Sequence, residues 1–444
     1  MIHSASSVQL PCVLQPRFVC LLLCLLLGGA LLSGCRPGGQ GSTNGGINEL
    51  DGMVTLSASD VWAVGFATTG QGISPLVEHW NGHAWSLVSA PGKGKKSALG
   101  SVAARTAQDV WAVGSYWQGA AQETLIEHWN GSSWHIVASP NGPGNNYLGS
   151  VAVVSATDVW AVGTTAPCPQ PPALALREPG NALDRGYPPS RTSECADQAH
   201  PLIEHWDGHA WSIVPSPSPD PTDAGLSTVV AFDQEDVWAS GSYFHLGVTP
   251  ADGAALFEHW DGTVWSIRAD FDVAMGGRMW ATAFLSSNDI WGAEYATAGP
   301  EGKPTIKHWD GNTWNVVAGP SFASVGYYVG AMTASAPDDL WAVGNHSPSQ
   351  QRSGQEQVFT MHWDGTTWSL VNCPSPNAYP TAGTLPGGNI TLTASISRSP
   401  DDAWMAGYYY PSNNTQLTFI EHWDGRVWRL VPNPNPAEPA SAGL

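Results

Sequence analysis

From about residue 48 onward, the chain alternates short apolar runs with turn signals, and one run recurs at nearly even spacing. Its most regular form is Asp-Val-Trp-Ala-Val-Gly, at residues 60–65, 109–114 and 158–163. Altered copies begin at residues 236, 289, 339 and 402. Short runs rich in Val and Trp and bounded by Gly, Asn or Asp are typical of β-strands, and no helical period competes with them. The pattern predicts seven repeats built from strands.

Each repeat contains four predicted strands, named a to d in chain order. In the second repeat, strand a is Leu-Gly-Ser-Val-Ala-Ala, strand b contains the Asp-Val-Trp run, strand c ends in Glu-His-Trp, and strand d begins at the next Trp. Asn-Gly or Asp-Gly joins strands c and d and is a strong signal for a tight hairpin, although the sequence leaves two-residue and four-residue loops open. Four-stranded antiparallel units at a period of about 50 residues are typical of β-propellers.

The predicted fold class is therefore all-β, a seven-bladed β-propeller of four-stranded antiparallel blades over residues 48–433. We expect the ring to close by packing of blade 1 on blade 7, with no strand borrowed across the closure. The predicted blades occupy approximately residues 49–91, 99–140, 148–215, 225–268, 279–318, 328–372 and 389–432.

The stretch "DVWAVGSY…LIEHWNGSSWHIVASP" resembles the kelch repeat of galactose-oxidase-like propellers, in which an apolar strand ends in Gly-Gly and a Trp opens the last strand. The resemblance covers residues 48–433. It departs from the kelch pattern because the second Gly is Ser115, Thr164 or Ser242. The Cys, Tyr and His copper constellation of galactose oxidase has no counterpart in the sequence, so that chemistry is not implied. The WD40 repeat is a weaker match, since its upstream Gly-His is missing.

Three positions of the repeat are assigned to the frame of the propeller. The Trp of strand b should fill the gap between neighbouring blades, where a large ring buries about 150–250 Å². Antiparallel pairing brings the Asp that starts strand b to the His that ends strand c, so we expect an Asp–His or Asp–indole hydrogen bond in each blade. An enzyme needs one asymmetric constellation and not seven copies of it. The Trp and His of the frame are Trp62, Trp111, Trp160, Trp238, Trp291, Trp341, Trp404, His79, His128, His205, His259, His308, His362 and His422.

The charge of the chain restricts its partners. Only 12% of the residues are charged, and the formal net charge is -20 at pH 7. A nucleic-acid partner is not expected, because phosphate binding needs a basic face. The one basic cluster, Lys93, Lys95 and Lys96, is interpreted as a solvated loop. We predict no catalytic residue, no metal and no cofactor, and we expect a monomer.

The N-terminus has the features of an export signal. Arg17 precedes an apolar run at residues 18–32, which leads into Leu-Ser-Gly-Cys, an ending that resembles the bacterial lipobox. The resemblance implies cleavage before Cys35 and a lipid on its sulfur. The protein would then be exported, and this lipid would be its only contact with the membrane, at the outer face of the cytoplasmic membrane or the cell surface. An ordinary signal peptide or an uncleaved anchor is the alternative.

The segments outside the propeller follow from this interpretation. They are a signal segment at residues 1–34, a flexible tether at 35–47 and a disordered tail at 434–444. Cys168 and Cys195 share one long insertion, and because disulfides persist in exported proteins we expect these two residues to pair. Cys373 is expected to be a buried free thiol.

Connectivity indicates where a ligand would bind. The a–b and c–d turns are short and uniform and share one face of the ring, the turn face. The b–c loops and d–a connections are long and differ between blades, and they share the opposite face, the loop face. Binding residues concentrate on variable loops held by a rigid frame. The aromatic candidates for carbohydrate stacking, whose alternative role is packing within their own loops, include Tyr116, Trp117, Tyr243 and Tyr408.

Blade 5 departs most from the repeat. Glu294 stands where the other blades have Gly, and strand a opens with Arg278 and Trp280 in place of small residues. The preceding loop holds Asp270 and Asp272. We expect these five residues near the loop face, where they would contact a ligand or supply an acid–base pair. A buried Arg278–Glu294 ion pair that only fills space is the alternative. Glycoside hydrolysis would require two carboxyl groups about 5–10 Å apart.

The combined pattern favours a cell-surface lipoprotein whose propeller binds a ligand, glycan or protein, through the loop face without catalysis. Two alternatives stay open. The first is a polysaccharide hydrolase or lyase that uses the carboxylates of blade 5. The second is a purely structural protein of the cell envelope, since propellers host unrelated functions.

Overall fold

The computed structural model describes several segments of the chain, and their strands form separate four-stranded sheets. These segments lie within one compact unit, Asn44–Leu444. The predicted signal segment at residues 1–34 and Cys35, Cys168 and Cys195 fall outside the described residues. Within the described part of the chain, no helix is long and apolar enough to span a bilayer. The described residues are 46–70, 72–166, 199–219, 222–245, 253–268, 278–295, 304–320, 327–346, 356–376, 390–412 and 415–436.

Each sheet contains four strands in chain order, and all neighbouring strands are antiparallel. The strands of blades 1 and 2 are β1 Asn48–Ser57, β2 Asp60–Thr69, β3 Gly72–Trp80, β4 Trp85–Leu87, β5 Ser97–Thr106, β6 Asp109–Gln118, β7 Ala121–Trp129 and β8 Trp134–Val137. Those of blades 3 and 4 are β9 Asn145–Ser155, β10 Asp158–Ala166, β11 His200–Trp206, β12 Trp211–Ile213, β13 Thr222–Ala231, β14 Val237–His245, β15 Gly253–Trp260 and β16 Trp265–Ile267. Those of blades 5 to 7 are β17 Arg278–Ser286, β18 Asp289–Tyr295, β19 Pro304–Trp309, β20 Trp314–Val317, β21 Tyr327–Ala336, β22 Asp339–His346, β23 Gln357–Trp363, β24 Trp368–Val371, β25 Ile390–Ser399, β26 Asp402–Ser412, β27 Thr415–Trp423 and β28 Trp428–Val431.

The seven sheets form a ring, which confirms the predicted seven-bladed β-propeller. The first strand of each blade is the innermost strand. Innermost strands of successive blades contact each other in the pairs β1–β5, β5–β9, β9–β13, β17–β21, β21–β25 and β25–β1. At the junction of blades 4 and 5, β17 contacts β14 and β15 of blade 4.

Blade 1 packs directly on blade 7, and each of the two sheets consists of its own four consecutive strands. Residues 46–47 add a short link across this closure. The amide of Gln416 donates to the Gly46 carbonyl at 3.0 Å, and the amide of Thr68 donates to the Ile47 carbonyl at 2.7 Å. The closure therefore joins the two ends of the described chain by packing, by the Ile47–Gln416 bridge and by side-chain hydrogen bonds such as that from Asn48 Nδ2 to the Gln416 carbonyl at 3.2 Å.

The hairpin between the third and fourth strands has a four-residue loop, which settles the alternative that the sequence left open. In blade 1, Trp80 pairs with Trp85 and encloses residues 81–84. Gly82 has a φ of 89°, in the left-handed region that glycine occupies without steric cost. The Asn81 side chain accepts hydrogen bonds from the amides of His83 and Ala84, both at 3.0 Å. Asn-Gly and Asp-Gly therefore specify this loop through side-chain hydrogen bonds as well as through glycine.

A β-bulge interrupts the innermost strand of every blade, and it explains the Gly of the Asp-Val-Trp-Ala-Val-Gly run. In blade 3, Leu148 pairs with Gly163 and Ser150 pairs with Val162, so Gly149 is the extra residue. The bulge brings the two backbones together, and a Cβ on Gly163 would lie 1.8 Å from the carbonyl oxygen of Tyr147. Bulges bend and twist a strand locally. The Gly is thus required by close approach of the innermost strand.

The core consists of rings and aliphatic side chains buried between blades. Trp62 of blade 1 is 2% exposed and packs against Trp129 and Trp134 of blade 2, with ring centroids 5.1 and 5.5 Å away. Small side chains such as Ala63 and Ala112 lie on the same strands and leave room for the rings. Each Trp of the second strand therefore joins its blade to the next, as the repeat pattern predicts.

Candidate functional site

The repeated Asp and His residues form one hydrogen-bonded pair in each blade. The His Nε2 atoms lie 2.7–2.9 Å from the Asp Oδ1 atoms, and each imidazole packs on the Trp of its own second strand at centroid distances of 4.1–4.6 Å. All seven pairs occupy the same place near the turn face. This equivalence assigns the repeated acid–base chemistry to the frame. The pairs are Asp60–His79, Asp109–His128, Asp158–His205, Asp236–His259, Asp289–His308, Asp339–His362 and Asp402–His422.

Asp109 shows how strongly such a carboxylate can be held. It accepts hydrogen bonds from His128 at 2.8 Å, from Arg105 at 2.7 Å and from the Trp111 indole at 3.1 Å. Burial opposes its ionisation, but the bonds from His128 and Arg105 outweigh burial and lower the pKa of Asp109. A carboxylate that already accepts three hydrogen bonds stabilises the frame and is a poor proton acceptor for a substrate.

The second Trp of the repeat, directly after His, has a role that the sequence analysis missed. In blades 1–4, 6 and 7 its indole N–H donates to a backbone carbonyl of the a–b turn at 3.0–3.3 Å. In blade 1, Trp80 reaches the Ala58 carbonyl in this way. The His-Trp dipeptide therefore ties the a–b turn to the third strand twice, through the imidazole and through the indole. The His-Trp dipeptide, which is the same in all seven repeats, is the sequence signal for this role.

Glu294, the carboxylate peculiar to blade 5, forms an ion pair with Lys307. Lys307 Nζ lies 2.5 Å from Glu294 Oε2, and the two side chains are 8% and 7% exposed. Lys307 is also peculiar to blade 5, since five other blades carry Glu at the equivalent position. The sequence leaves Arg278 as the candidate ion-pair partner of Glu294, whereas the structure pairs Glu294 with Lys307. The pair neutralises both charges within the blade.

The other blade 5 candidates are placed less completely. Arg278 and Trp280 belong to β17, where the Arg278 backbone pairs with Tyr295, and Met279 pairs with Glu294. Trp280 is the bulge residue of its blade, a position that is Gly in blades 2, 3 and 6. Asp270 and Asp272 lie outside the described residues. The ligand-binding role of this group stays a prediction.

The expectation of exposed aromatic rings on the loop face is wrong for three of the four candidates. Tyr116 is 2% exposed, Tyr243 is 7% exposed and Tyr408 is 8% exposed. The physical reason is that the second strands extend beyond the Gly of the motif, so these rings lie on strands and are covered by neighbouring blades. Trp117 is half-buried. Among these four residues, Trp117 is therefore the candidate for stacking on a sugar at the loop face.

The hydroxyl of buried Tyr116 is the centre of a polar cluster on the loop face. Lys93 Nζ donates to it at 2.6 Å and lies 4.3 Å from the centroid of the Tyr116 ring. The hydroxyl in turn donates to the carboxylate of Glu123, and Gln118 lies beside it. Burial, followed by the hydrogen bond to Glu123, raises the pKa of Tyr116, so the phenol stays neutral and acts as a donor.

The connection that carries Lys93 is fixed by backbone hydrogen bonds to both blades. Its residues 91–96 form the blade 1–2 connector. The Lys95 carbonyl accepts from the Ile73 amide of blade 1 at 3.0 Å, and the Lys96 carbonyl accepts from the Trp117 amide of blade 2 at 2.9 Å. The Gly92 amide donates to the Glu127 carboxyl at 2.9 Å. Lys93, Lys95 and Lys96 are exposed. The Lys93 ammonium is engaged with Tyr116, so the connector presents the side chains of Lys95 and Lys96 from a fixed backbone next to the Trp117 amide.

Metal chemistry has no candidate in this part of the chain. Across the described ranges, no group of three or more His, Cys, Asp and Glu side chains is arranged to hold an ion. The Asp–His pairs supply two groups each and are spread around the ring. Among the described cysteines, Cys373 is a free thiol. It is half-buried and donates to the Val358 carbonyl at 3.5 Å.

Comparison with known proteins places the chain by fold. No known family model matches the sequence, so the kelch-like resemblance stays an interpretation of the repeats. No curated protein matches it either. A solved polysaccharide lyase of family PL25, an ulvan lyase bound to -[GlcA(1-4)Rha3S]-, is similar over 88% of this chain and 96% of its own, with 11% identity and a TM-score of 0.51.

Two further solved structures are similar to this chain but carry other activities. An acylaminoacyl peptidase from Pyrococcus horikoshii matches over 86% of this chain and 51% of its own, with 8% identity and a TM-score of 0.50. YCF48 bound to D1 peptide matches over 86% of this chain and 94% of its own, with 12% identity and a TM-score of 0.47. Such low identities show the propeller fold alone and do not choose among functions.

Proposed function

We propose that the protein is a non-catalytic binding module that holds a carbohydrate chain against the loop face of blades 1 and 2. The observation that carries the proposal is the blade 1–2 connector. It presents the exposed side chains of Lys95 and Lys96 from a backbone that is fixed to both blades and bonded to the amide of half-buried Trp117. Preorganised groups lose less conformational entropy when a ligand binds.

The chemistry of this surface suits sugars that carry acidic groups. Gln118 and Gln122 add amide donors and acceptors next to Trp117, and Gln122 is the residue paired with Trp117 across β6 and β7. Aromatic faces stack on the apolar faces of sugars, whereas ammonium groups attract carboxylate or sulfate. Because the whole chain has a formal net charge of -20, the neighbouring lysines Lys95 and Lys96 are a place where an acidic ligand meets attraction.

The ion pair in blade 5 supports binding over catalysis there. A general acid for glycoside cleavage must be able to give up and regain a proton beside its substrate. Glu294 is 7% exposed and its carboxylate is bound by Lys307 at 2.5 Å, so it is not presented to a substrate. The polysaccharide hydrolase or lyase alternative would need this carboxylate to be free.

The proposal includes export and a lipid anchor at Cys35, on the strength of the lipobox-like Leu-Ser-Gly-Cys sequence. Cys35→Ala removes the thiol that would carry the lipid. The variant should then be recovered in the soluble fraction or as the precursor with its signal segment uncleaved. Metabolic labelling with a radioactive fatty acid measures the modification directly. Labelling that persists in Cys35→Ala would contradict the assignment.

Binding is tested with the full-length chain on an array of neutral, carboxylated and sulfated glycans. We expect acidic glycans to bind more tightly than neutral ones of the same backbone, with affinity that falls as salt is added. Trp117→Ala and the double variant Lys95→Glu/Lys96→Glu should each weaken binding about tenfold or more. Isothermal titration with the best glycan gives the values.

Arg426→Glu is the matched control. Arg426 is exposed on the c–d loop of blade 7, on the turn face, and its reversal changes net charge by the same amount as one lysine reversal. It should leave glycan affinity unchanged. Release of shortened or unsaturated sugars from any bound polysaccharide would overturn the non-catalytic proposal. Selective capture of an acidic protein, with no glycan bound, would replace the carbohydrate by a protein partner.

A further inference from the structure

Five blades place a glutamate at the same buried position on the third strand, directly before the His of the Asp–His pair. Each is 0% exposed and lies where one blade packs on the preceding one. In blade 2 this position also holds the blade 1–2 connector, because the Gly92 amide donates to Glu127. We call these residues the junction glutamates: Glu78, Glu127, Glu204, Glu258 and Glu421.

The groups that face the junction glutamates come from the end of the preceding blade, and they are mostly neutral. The Asn433 amide donates to Glu78 at 3.2 Å, the Gly92 amide donates to Glu127 at 2.9 Å, and the Ser216 hydroxyl donates to Glu258 at 2.8 Å. Ser139 faces Glu204, and the Cys373 thiol faces Glu421. Cys373 is the one titratable group in this facing set, and burial raises its thiol pKa, so it is uncharged as well.

Several carboxyl oxygens at these junctions receive no hydrogen bond within the described structure. They are Glu127 Oε2, Glu258 Oε1 and both oxygens of Glu204 and Glu421. None of the five carboxyls forms an ion pair with a described Lys or Arg. The neighbouring histidine of each strand points to the other face of the sheet, where it is bonded to its Asp, as His79 is to Asp60. An ionised carboxylate in such a place would cost several kcal/mol.

The two blades without a junction glutamate support this reasoning. Blade 6 has Met361 there, which is 0% exposed and carries no charge. Blade 5 has Lys307, which is charged and is paired with Glu294. The position therefore holds a charge only where the blade supplies the opposite charge, so the five unpaired carboxyls belong to the neutral acid form.

We propose that five of the seven blade junctions are closed by protonated glutamates, and that the ring loosens as rising pH removes these protons to solvent. Desolvation by burial raises the pKa of Glu78, Glu204 and Glu258 to about 8, that of Glu127 to about 7, and that of Glu421 to about 9. The stability that the neutral acids contribute is complete below the unfolded value of 4.5. It is lost as the pH rises through the folded values, because the unfolded chain then binds fewer protons than the native chain.

The proposal predicts a large pH dependence of unfolding for the full-length chain. A carboxyl whose pKa moves from 4.5 to 8 lowers the folding constant by roughly 10³-fold across that interval. Thermal unfolding followed by circular dichroism between pH 5 and pH 9 should therefore show a Tm that falls steadily toward pH 9. Glu204→Gln and Glu421→Gln should each reduce this slope, and the double variant should reduce it further. The slope is the readout, because a buried amide also changes stability at every pH.

Glu235→Gln is the matched control, since Glu235 is exposed on the a–b turn of blade 4 and should leave the slope unchanged. Infrared spectroscopy of the wild-type chain supplies a readout that needs no variant. A carbonyl band of buried protonated carboxyl should be present at pH 6 and disappear by pH 10. A Tm that is flat from pH 5 to pH 9, glutamine variants that keep the wild-type slope, or absence of the protonated-carboxyl band at pH 6 would each overturn the proposal.

Discussion

Blades 2 and 5 share one plan of strands, bulge and Asp–His pair, but they place opposite chemistry at the same two positions. In blade 2, Gly114 ends the repeated motif, and Glu127 is buried on the neighbouring third strand. In blade 5 these positions are Glu294 and Lys307, which form the ion pair. The register places both pairs of positions diagonally across the second and third strands, on the same face of the sheet.

The comparison shows that the two positions depend on each other. Where the second strand carries Gly, the third-strand residue has no partner within its sheet and is a carboxyl or, in blade 6, Met361. Where the second strand carries Glu294, the third strand carries a lysine that neutralises it. A blade junction therefore accepts a charged side chain when the blade itself supplies the compensating charge, in accordance with the high cost of an unpaired buried charge.

The largest effect is expected from breaking this pair on one side. Lys307→Met replaces the lysine by an uncharged side chain of similar length and leaves Glu294 buried without its ion-pair partner. Removal of one member of a buried ion pair costs about 3–5 kcal/mol, because the other charge stays desolvated. Urea unfolding of the full-length chain measures the loss of free energy of unfolding.

The double variant Glu294→Gly/Lys307→Glu sharpens the same comparison, because it gives blade 5 the pair of residues found in blade 2. It should recover most of the stability that Lys307→Met loses. It should also add to the pH dependence of unfolding, since it creates a sixth junction glutamate. A loss below about 1 kcal/mol in Lys307→Met would mean that Glu294 becomes neutral or finds water at little cost.

A smaller loss is expected from adding a methyl group where the regular blades require Gly. In Gly163→Ala the new Cβ would lie 1.8 Å from the Tyr147 carbonyl oxygen, so β9 or β10 must move. Forced backbone shifts in a packed core cost about 3 kcal/mol. Blade 5 has Glu294 at this position although its strands keep the same register, with Met279 opposite Glu294 and Ala281 opposite Ala293.

Gly70→Ala is the matched control for that substitution. A Cβ at Gly70 would meet nothing within 4 Å, so its unfolding free energy should match that of the wild-type chain. Equal stability of Gly163→Ala and Gly70→Ala would show that the bulge yields easily. The requirement for Gly in six blades would then need another cause.

The fold could be predicted from the sequence because each repeat of the sequence corresponds to one structural unit. Seven copies of a β-rich unit with Asn-Gly or Asp-Gly hairpins leave few architectures, and the meeting of Asp60 with His79 follows from strand direction alone. The bulge was missed, since it depends on how closely two backbones approach. The paired signal of Leu-Gly in strand a and Gly in strand b, as in Leu99-Gly100 and Gly114, was nonetheless present.

The candidate binding surface was harder to predict from sequence. Tyr116 was chosen as an exposed ring, although the length of β6 buries it, and no local pattern reveals where a propeller strand passes under its neighbour. The sequence indicates only a solvated loop at Lys93. Its bond to Tyr116 is not visible in any local pattern, because it joins the connector after blade 1 to a strand of blade 2. The Glu294–Lys307 pair could have been found by comparing the repeats, since both departures from the pattern fall in one blade.

The smallest effect distinguishes two copies of the frame, Asp109 and Asp60. Asp109 accepts hydrogen bonds from His128, Arg105 and the Trp111 indole. Asp60 is bonded to His79, and among the described residues the buried Trp62 indole N–H has no acceptor. Hydrogen bonds to charged groups contribute more than neutral ones, so Asp109→Asn should cost about 2 kcal/mol and Asp60→Asn about 1 kcal/mol.

The effect of Asp109→Asn on stability should depend on pH in a direction set by the pKa of Asp109. The pKa of Asp109 lies below its ordinary value of 3.8, because the bonds from His128 and Arg105 outweigh burial. The stability contributed by the carboxylate is therefore complete above pH 3.8 and is lost as the pH falls through the lower folded value. Unfolding free energies of wild type and Asp109→Asn should differ at pH 5, and this difference should shrink as the pH falls below 3.8. A difference that persists unchanged at pH 2.5 would mean that Asp109 stabilises blade 2 by shape and not by charge.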